Sequence, residues 1–476
     1  MVEPARGIET ADTRDRRTSA LAAAAADYGP RSFRLTTNIA VQYLAETRRF
    51  ESRAFTTGDP SSSSTRWAGT DTKTRGLVAW QQVASADRRF LEVGVRRDVL
   101  DRALFQFEDP TYPFASAAWD IGAEPFFPLG GAVSALRLRA AYGESGDSRP
   151  YGVALGFLPT VPIGSPLPDD ASRVERTAET EGGADLGLFG GRAALEATYF
   201  SRRTTDALMP GITPPGSGGG GATVASSASW RTRGLELALR TRLVDRDAVR
   251  AEVAASFTSV HNEVLDLGGV PPLIGTRYRI VAGYPLYGLW ANRFRYVDAN
   301  GDGVIVPAEV SPDSTPRYVG SPIPTRELGV APSLVLKGHV TIAALIDYRG
   351  GFKQINGTER LRCNGRCEAL YDPTTSLADQ ARAIDQVDAA AAFFESGDFV
   401  RLRELSVAWT VASSLRRLIG AKSATLTAAA RNVVAWTSYS GLDPEGTLTG
   451  QGGFEQHDFF TLPLPRTFSV RLDARW

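Results

Sequence analysis

Oxygen-bearing side chains crowd between residues 296 and 310, in the stretch YVDANGDGVIVPAEV. Asp298, Asn300 and Asp302 hold positions 1, 3 and 5 of a calcium loop. Val304 offers its carbonyl at position 7, and Glu309 closes the loop at position 12. Gly303 stands at the sixth position, where such a loop must turn sharply. Hard oxygen donors at this spacing suit Ca2+, and a weak site of about 10⁻⁴–10⁻³ M would order an extracellular segment. The flanks are not those of a sensor. GLWANRFRYV, which precedes the loop, is aromatic-rich and strand-like, and Pro307 interrupts any helix starting inside it. An Asp/Asn/Gly turn without an ion is the competing reading.

Cys363 and Cys367, the chain's two cysteines, stand in CNGRC. So close a pair, with Asn-Gly between, suits a disulfide-closed turn in an oxidising compartment. A zinc pair would need two further ligands nearby. Downstream, Ser376 and Asp379 have the Ser-x-x-acid spacing of a helix start. No catalytic set emerges. His261, His339 and His457 are scattered, and GSGGGG from residue 216 lacks the Lys-Ser/Thr of a phosphate cradle. No nucleophile elbow is present, so the chain does not read as an enzyme.

These positions need a scaffold, and the scaffold is written in period-2 alternation. In FRLTTNIAVQY, Phe33, Leu35, Ile39, Val41 and Tyr43 share one face, with Arg34, Thr36, Asn38 and Gln42 on the other. GLELALR, LRLRAAY and the terminal TFSVRLDARW repeat the pattern. The alternation predicts strands over 33–46, 75–85, 88–98, 113–123, 132–143, 175–188, 191–203, 228–243, 248–262, 323–337, 339–350, 397–411, 423–437 and 466–476. A weaker one is predicted over 17–27. Short joins alternate with long ones, so the long ones all fall on one side. Charged residues recur mid-strand on the polar face, which a soluble core would reject and a watery lumen accepts. The expected fold is all-β: a transmembrane, antiparallel, up-and-down barrel of about 14–15 strands. Tyr43, Trp119, Tyr142, Tyr199, Trp230, Tyr348, Trp436 and Trp476, near strand ends, are expected to form interfacial girdles.

Composition agrees without deciding. The chain has 476 residues, with Lys+Arg and Asp+Glu both 53, so nothing points to a nucleic-acid surface. No stretch approaches the ~18 apolar residues of a spanning helix. The N-terminal MVEPARGIETADTRDRR has no apolar signal-peptide core.

Several blocks resemble the barrel of SusC/RagA-type TonB-dependent outer-membrane transporters. They include DRRFLEVGVRRD, YPFASAAWDIGAEPFF, DANGDGVI with VGSPIPTRELGVAPSL, and the closing ESGDFVRLRELSVAWTV and PLPRTFSVRLDARW. The resemblance runs from about residue 17 to 476. It implies a bacterial outer-membrane location and uptake of large nutrients of the oligosaccharide or peptide class. It also implies contact with outer-membrane lipid and with a SusD-like surface lipoprotein. Coupling to the TonB complex is expected only if a plug and TonB box are supplied upstream. The family barrel is larger, at 22 strands. Residues 1–16 are therefore expected to be a disordered or truncated segment, and 17–476 the C-terminal part of a barrel that does not transport alone. Two other functions fit the same residues. One is a passive pore or inert barrel fragment; the other is a calcium-stabilised soluble surface or adhesion protein.

Overall fold

A computed structural model describes residues 7–30, 32–56, 64–102, 109–128, 131–147, 174–212, 222–269, 271–275, 277–363, 367–370, 372–384, 390–418, 420–447 and 457–476. Fifteen strands form one antiparallel sheet in which each pairs with the next in sequence. They are β1 (Gly7–Tyr28), β2 (Phe33–Thr56), β3 (Ser64–Ser85), β4 (Arg89–Arg102) and β5 (Thr111–Asp120). Next come β6 (Val133–Asp147), β7 (Glu175–Leu188), β8 (Ala193–Ile212), β9 (Ala222–Arg246) and β10 (Val249–Asp266). The last five are β11 (Arg326–Leu336), β12 (Val340–Gly350), β13 (Phe399–Thr410), β14 (Ser423–Thr437) and β15 (Thr467–Arg475). The sheet is open, with β1 and β15 at its edges.

The two faces follow the sequence alternation. One row crosses the inner face as Thr36, Gln82, Glu92, Ser116, Ala141 and Glu181, each opposite the next. Polar groups on this face satisfy one another: Gln82 donates to Glu92 at 2.7 Å, and Arg139 bonds Asp185 at 3.0 Å and Thr198 at 2.6 Å. Arg34, Glu92, Arg137, Arg139 and Glu181 line a concavity there. The outer face is apolar and uncovered: Ile39, Val41, Leu77 and Val93 are each 52–53% exposed. Lipid is the solvent that such a surface requires.

At two positions in the wall a residue must be small because of a neighbouring ring. Gly94 lies opposite Phe114, and Gly234 opposite Phe200. A Cβ at either glycine would run into that ring, so each ring reaches over the glycine on the adjacent strand.

Three expectations are corrected. Strand β1 begins at Gly7, so residues 7–16 are paired with β2 rather than unpaired. Similarly, β2, β3, β8 and β9 run well past their expected ends. Outside the bilayer both faces meet water, alternation is lost, and pattern reading stops while the ladder continues. Trp230 is the third. It packs inward with Val264, Leu267 and Ile280 instead of joining a girdle, whereas Trp119, Tyr142, Tyr199, Trp436 and Trp476 are exposed.

The faces make a direct prediction. Val93→Arg, on the outer face, should cost on the order of 2–4 kcal/mol of insertion stability, whereas Ser116→Arg, on the inner face beside Glu92, should be tolerated. The folded fraction, read from heat-modifiable migration in detergent, should fall for the first variant and not for the second.

Candidate functional site

Seven short connections lie at one rim of the sheet, and the long segments 267–325, 351–398 and 438–466 at the other. The described parts of these segments fold onto one another. Lys353–Asn356 pairs antiparallel with Phe394–Ser396 and parallel with His457–Asp458. Residues 273–320 contribute a small sheet of Leu273–Ile274, Tyr278–Ile280, Gly288–Ala291 and Arg317–Gly320. Leu289 and Ala291 on one face of it pack against Ile355 and Phe394. The alternate residue, Trp290, meets Tyr284 at 4.8 Å and Tyr318 at 6.0 Å, with the Arg279 guanidinium 5.5 Å over its ring. Burial raises the Tyr318 phenol above its usual range.

An ionic knot fastens this assembly to the wall. Arg401 and Asp443, 5% and 4% exposed at their side chains, pair at 2.5 Å. Glu445 takes a bidentate contact from Arg403 at 2.5 and 2.6 Å and approaches Arg401 Nε at 3.0 Å. Arg403 also binds Asp347 of β12 at 2.6 Å. Both guanidiniums lie over the buried Phe399 ring, at 5.6 and 5.8 Å. Asp443 further accepts from the backbone of Glu445 at 2.9 Å and of Leu464 at 3.1 Å. Arg403 is skipped by both neighbouring ladders, since Leu402 and Glu404 pair on either side of it. This bulge lets Arg403 reach Asp347 and Glu445 while the next residue, Glu404, reaches Arg431 at 2.8 Å.

A second polar cluster joins the segments. Glu395 accepts from Asn356 at 3.2 Å, from the Ser440 backbone and hydroxyl at 2.7 Å each, and from Arg382. Asp458 accepts from Tyr439 at 2.9 Å, Thr358 at 3.2 Å and Thr461 at 2.6 Å. Burial beside the Asp458 carboxylate pushes the Tyr439 phenol far above its usual range. Burial, with the Arg277 guanidinium next to it, pushes the His457 imidazole down to about 4.

The residues singled out from sequence fall within this region or around it. Asp298 accepts from the Gly301 and Gly303 amides at 2.8 and 3.0 Å, and Asp302 from Val304 at 2.8 Å. Glu309 accepts from Ala299 at 2.9 Å and Val306 at 3.1 Å. Gly301 and Gly303 have φ of 70° and 78°, which only glycine adopts without strain. Asn300 donates to Asp302 at 2.7 Å. Among the described residues no three His, Cys, Asp or Glu side chains gather as a metal site. The polar side chains of the loop are spent on closing its own backbone.

A disulfide joins Cys363 to Cys367, with Cα atoms 4.4 Å apart, against Ala383 and Phe393. Asp379 N bonds the Ser376 hydroxyl at 3.2 Å, starting helix α1 (Leu377–Ile384). From that helix the buried Gln380 accepts from Ile305 N at 2.8 Å and donates to Gly303 O at 3.1 Å, holding the 298–309 loop. His261, His339 and His457 stay apart: on β10, in the β11–β12 turn and beside Arg277. The Gly run from residue 216 lies outside the described residues. Sequence reading missed Gln380 and the knot. RLRE in β13 was visible as inner-face charge, but its partners lie 42 residues away.

An alternating two-faced wall with a knitted, loop-built cap at one rim is the architecture of a transmembrane β-barrel wall. The chain belongs to the TonB-dependent receptor-like β-barrel family, whose pattern it matches over residues 5–433. It is 25% identical to TonB-dependent receptor P26 of Formosa agariphila, covering 76% of this chain and 42% of that one. TonB-dependent receptor P3 of the same organism is 21% identical, covering 77% and 42%. The chain thus spans less than half the length of these relatives. Among solved structures, the RagAB peptide transporter superposes with a TM-score of 0.77 at 17% identity, over 98% of this chain and 56% of that one. BauA, the ferric preacinetobactin receptor of Acinetobacter baumannii, gives 0.53 at 12% identity, over 98% and 55%. These likenesses establish the fold.

The knot yields a prediction. Arg401→Ala strands Asp443 in a buried site and should cost about 3–5 kcal/mol, felt locally. Hydrogen exchange should rise across 438–447 while heat-modifiable migration of the wall is unchanged. The double change Arg401→Met with Asp443→Leu should recover much of the protection. Unchanged exchange in Arg401→Ala would mean that the cap is held by other contacts.

Proposed function

We propose that this chain is the C-terminal wall and cap of an outer-membrane TonB-dependent transporter that takes up large nutrients of the oligosaccharide or peptide class. The observation that carries the reading is the cap: three separate long segments are built into one body and tied to a polar inner face. A bare pore needs no such structure, and a mouth that handles bulky cargo does. The rim that bears the cap is the extracellular one, and the short turns face the periplasm. A SusD-like surface lipoprotein is the proposed partner above the cap, and the TonB complex the proposed energy source. The soluble adhesion reading fits poorly with an outer face that leaves Ile39, Val41, Leu77 and Val93 half exposed.

Deleting the gene in its host should abolish energy-dependent uptake of a labelled peptide or oligosaccharide pool, and deleting tonB should do the same. Unchanged energy-dependent uptake, with reduced passive permeability to small solutes, would favour the passive-pore reading instead.

Calcium at Asp298, Asn300, Asp302, the Val304 carbonyl and Glu309 is proposed as an added brace for the cap. The sequence spacing and the two left-handed glycines support it; the hydrogen bonds that occupy the same carboxylates oppose it. Asp298→Ala should open 290–320 to protease with the wall intact, because two amide bonds are lost. Slower cleavage of the unsubstituted chain in millimolar calcium than in chelator is the expected mark of the ion. Identical cleavage would leave the loop as a self-closed turn.

A further inference from the structure

The outer face changes character abruptly on β8, β9 and β10. Ala197, Leu237 and Phe257 form one cross-strand row on that face, and Tyr199, Leu235 and Ser259 the next. Tyr199 is 51% exposed. Continuing toward the cap, the third row is Ser201, Arg233 and His261, and the fourth Arg203, Arg231 and Glu263. Same-face rows are about 6.6 Å apart along a strand, or roughly 5 Å in height at the ~45° tilt of a membrane strand. Arg233 therefore sits about 5 Å above Tyr199, and Arg203 and Arg231 about 9–10 Å above it. An interfacial tyrosine marks headgroup depth, so the arginines lie where lipid phosphates and sugars lie.

The charges are not balanced locally. Arg203 and Arg231 stand directly opposite each other on adjacent strands, an arrangement that destabilises a sheet unless an anion intervenes. The one carboxylate of these rows, Glu263, turns to Arg233 at 3.8 Å. Among the described residues neither Arg203 nor Arg231 forms an ion pair. On the inner face of the same strand the opposite holds: Arg202, one residue away, is bidentate with Glu179 at 2.9 and 3.1 Å. We propose that Arg203, Arg231 and Arg233 form a site on the outer wall for a phosphorylated lipid headgroup of the outer leaflet. A phosphate set between Arg203 and Arg231 takes planar, charge-assisted bonds from both and converts their repulsion into attraction. Acyl chains of the same lipid would run down over Tyr199, Leu235, Leu237 and Phe257. A site of this kind fixes the rotation and depth of the wall next to the segment that carries the cap. The proposal rests on the outer-membrane reading, which membrane fractionation checks separately.

The test uses the receptor purified from outer membranes in mild detergent, with native mass spectrometry and bisphosphorylated lipid A as probe. The unsubstituted receptor should bind it, and the triple variant Arg203→Gln, Arg231→Gln, Arg233→Gln at least tenfold more weakly. Arg137→Gln, which removes an inner-face guanidinium, should leave binding unchanged, and dephosphorylated lipid A should bind the receptor no better than the probe binds the triple variant. Equal binding by receptor and triple variant, or equal loss in Arg137→Gln, overturns the site. Saturation of the site by inorganic phosphate alone, at the same concentration as the lipid, overturns the lipid assignment. Should the triple variant fail to reach the membrane, Arg203→Gln alone keeps the Arg233–Glu263 contact and is expected to bind severalfold more weakly. An unchanged affinity in that variant also overturns the proposal.

Discussion

A peptide group in hydrocarbon has no water to bond, and between the two edges of the sheet the strands of this chain answer that constraint by pairing with their neighbours. Each of the fifteen strands is paired with the next in sequence, so the ladder satisfies the backbone as the chain advances. The side chains are then free to obey two solvents at once. Outward positions such as Val41, Leu77 and Val93 meet lipid, and inward ones such as Gln82, Glu92 and Arg139 bond one another across strands. Only where the ladder leaves the bilayer can irregular backbone and small sheets appear. There the cap is built.

The cap uses chemistry that the wall cannot. Burying Arg401 against Asp443 is costly in itself, because both charges lose water. The cost is offset because the charges share partners: three carboxylates, Asp443, Glu445 and Asp347, face two guanidiniums, backbone amides bond Asp443, and Phe399 lies beneath both cations. The bulge at Arg403 is what makes the arrangement compatible with lipid, since three charges turn inward along β13 while Leu405 and Val407 stay exposed outside. An apolar contact of similar area would hold the cap as firmly, but it would accept many orientations. Directed ion pairs accept few.

The wall was legible in the sequence because its solvent changes every second residue. Strand positions in FRLTTNIAVQY, GLELALR and TFSVRLDARW could be read directly, and so could the side on which the long connections fall. Legibility stopped where the solvent became uniform, as in residues 7–16 and the outer ends of β8 and β9. Locally closed features were also readable: the Cys363–Cys367 pair and the Ser376–Asp379 helix start each involve residues within a few positions of each other. The knot was not, for Arg401 and Asp443 carry no local sign of each other. Nor was the inward turn of Trp230, which depends on a hydrophobic cluster assembled from 207 to 280.

The contacts that unite the cap span long stretches of chain. Arg277 meets His457 across 180 residues, Ile305 meets Gln380 across 75, and Gln354 meets Gly446 across 92. Between Arg277 and His457 lie four complete strands of the wall, β11 to β14, and β15 follows closely. Contacts of such separation carry a large loop-closure entropy until the intervening strands are in register. The cap must therefore be the last part of this region to assemble, and a finished cap certifies that the strands beneath it are correctly paired. A cell that inspects only the exposed surface of the protein is, in effect, reading the state of its interior.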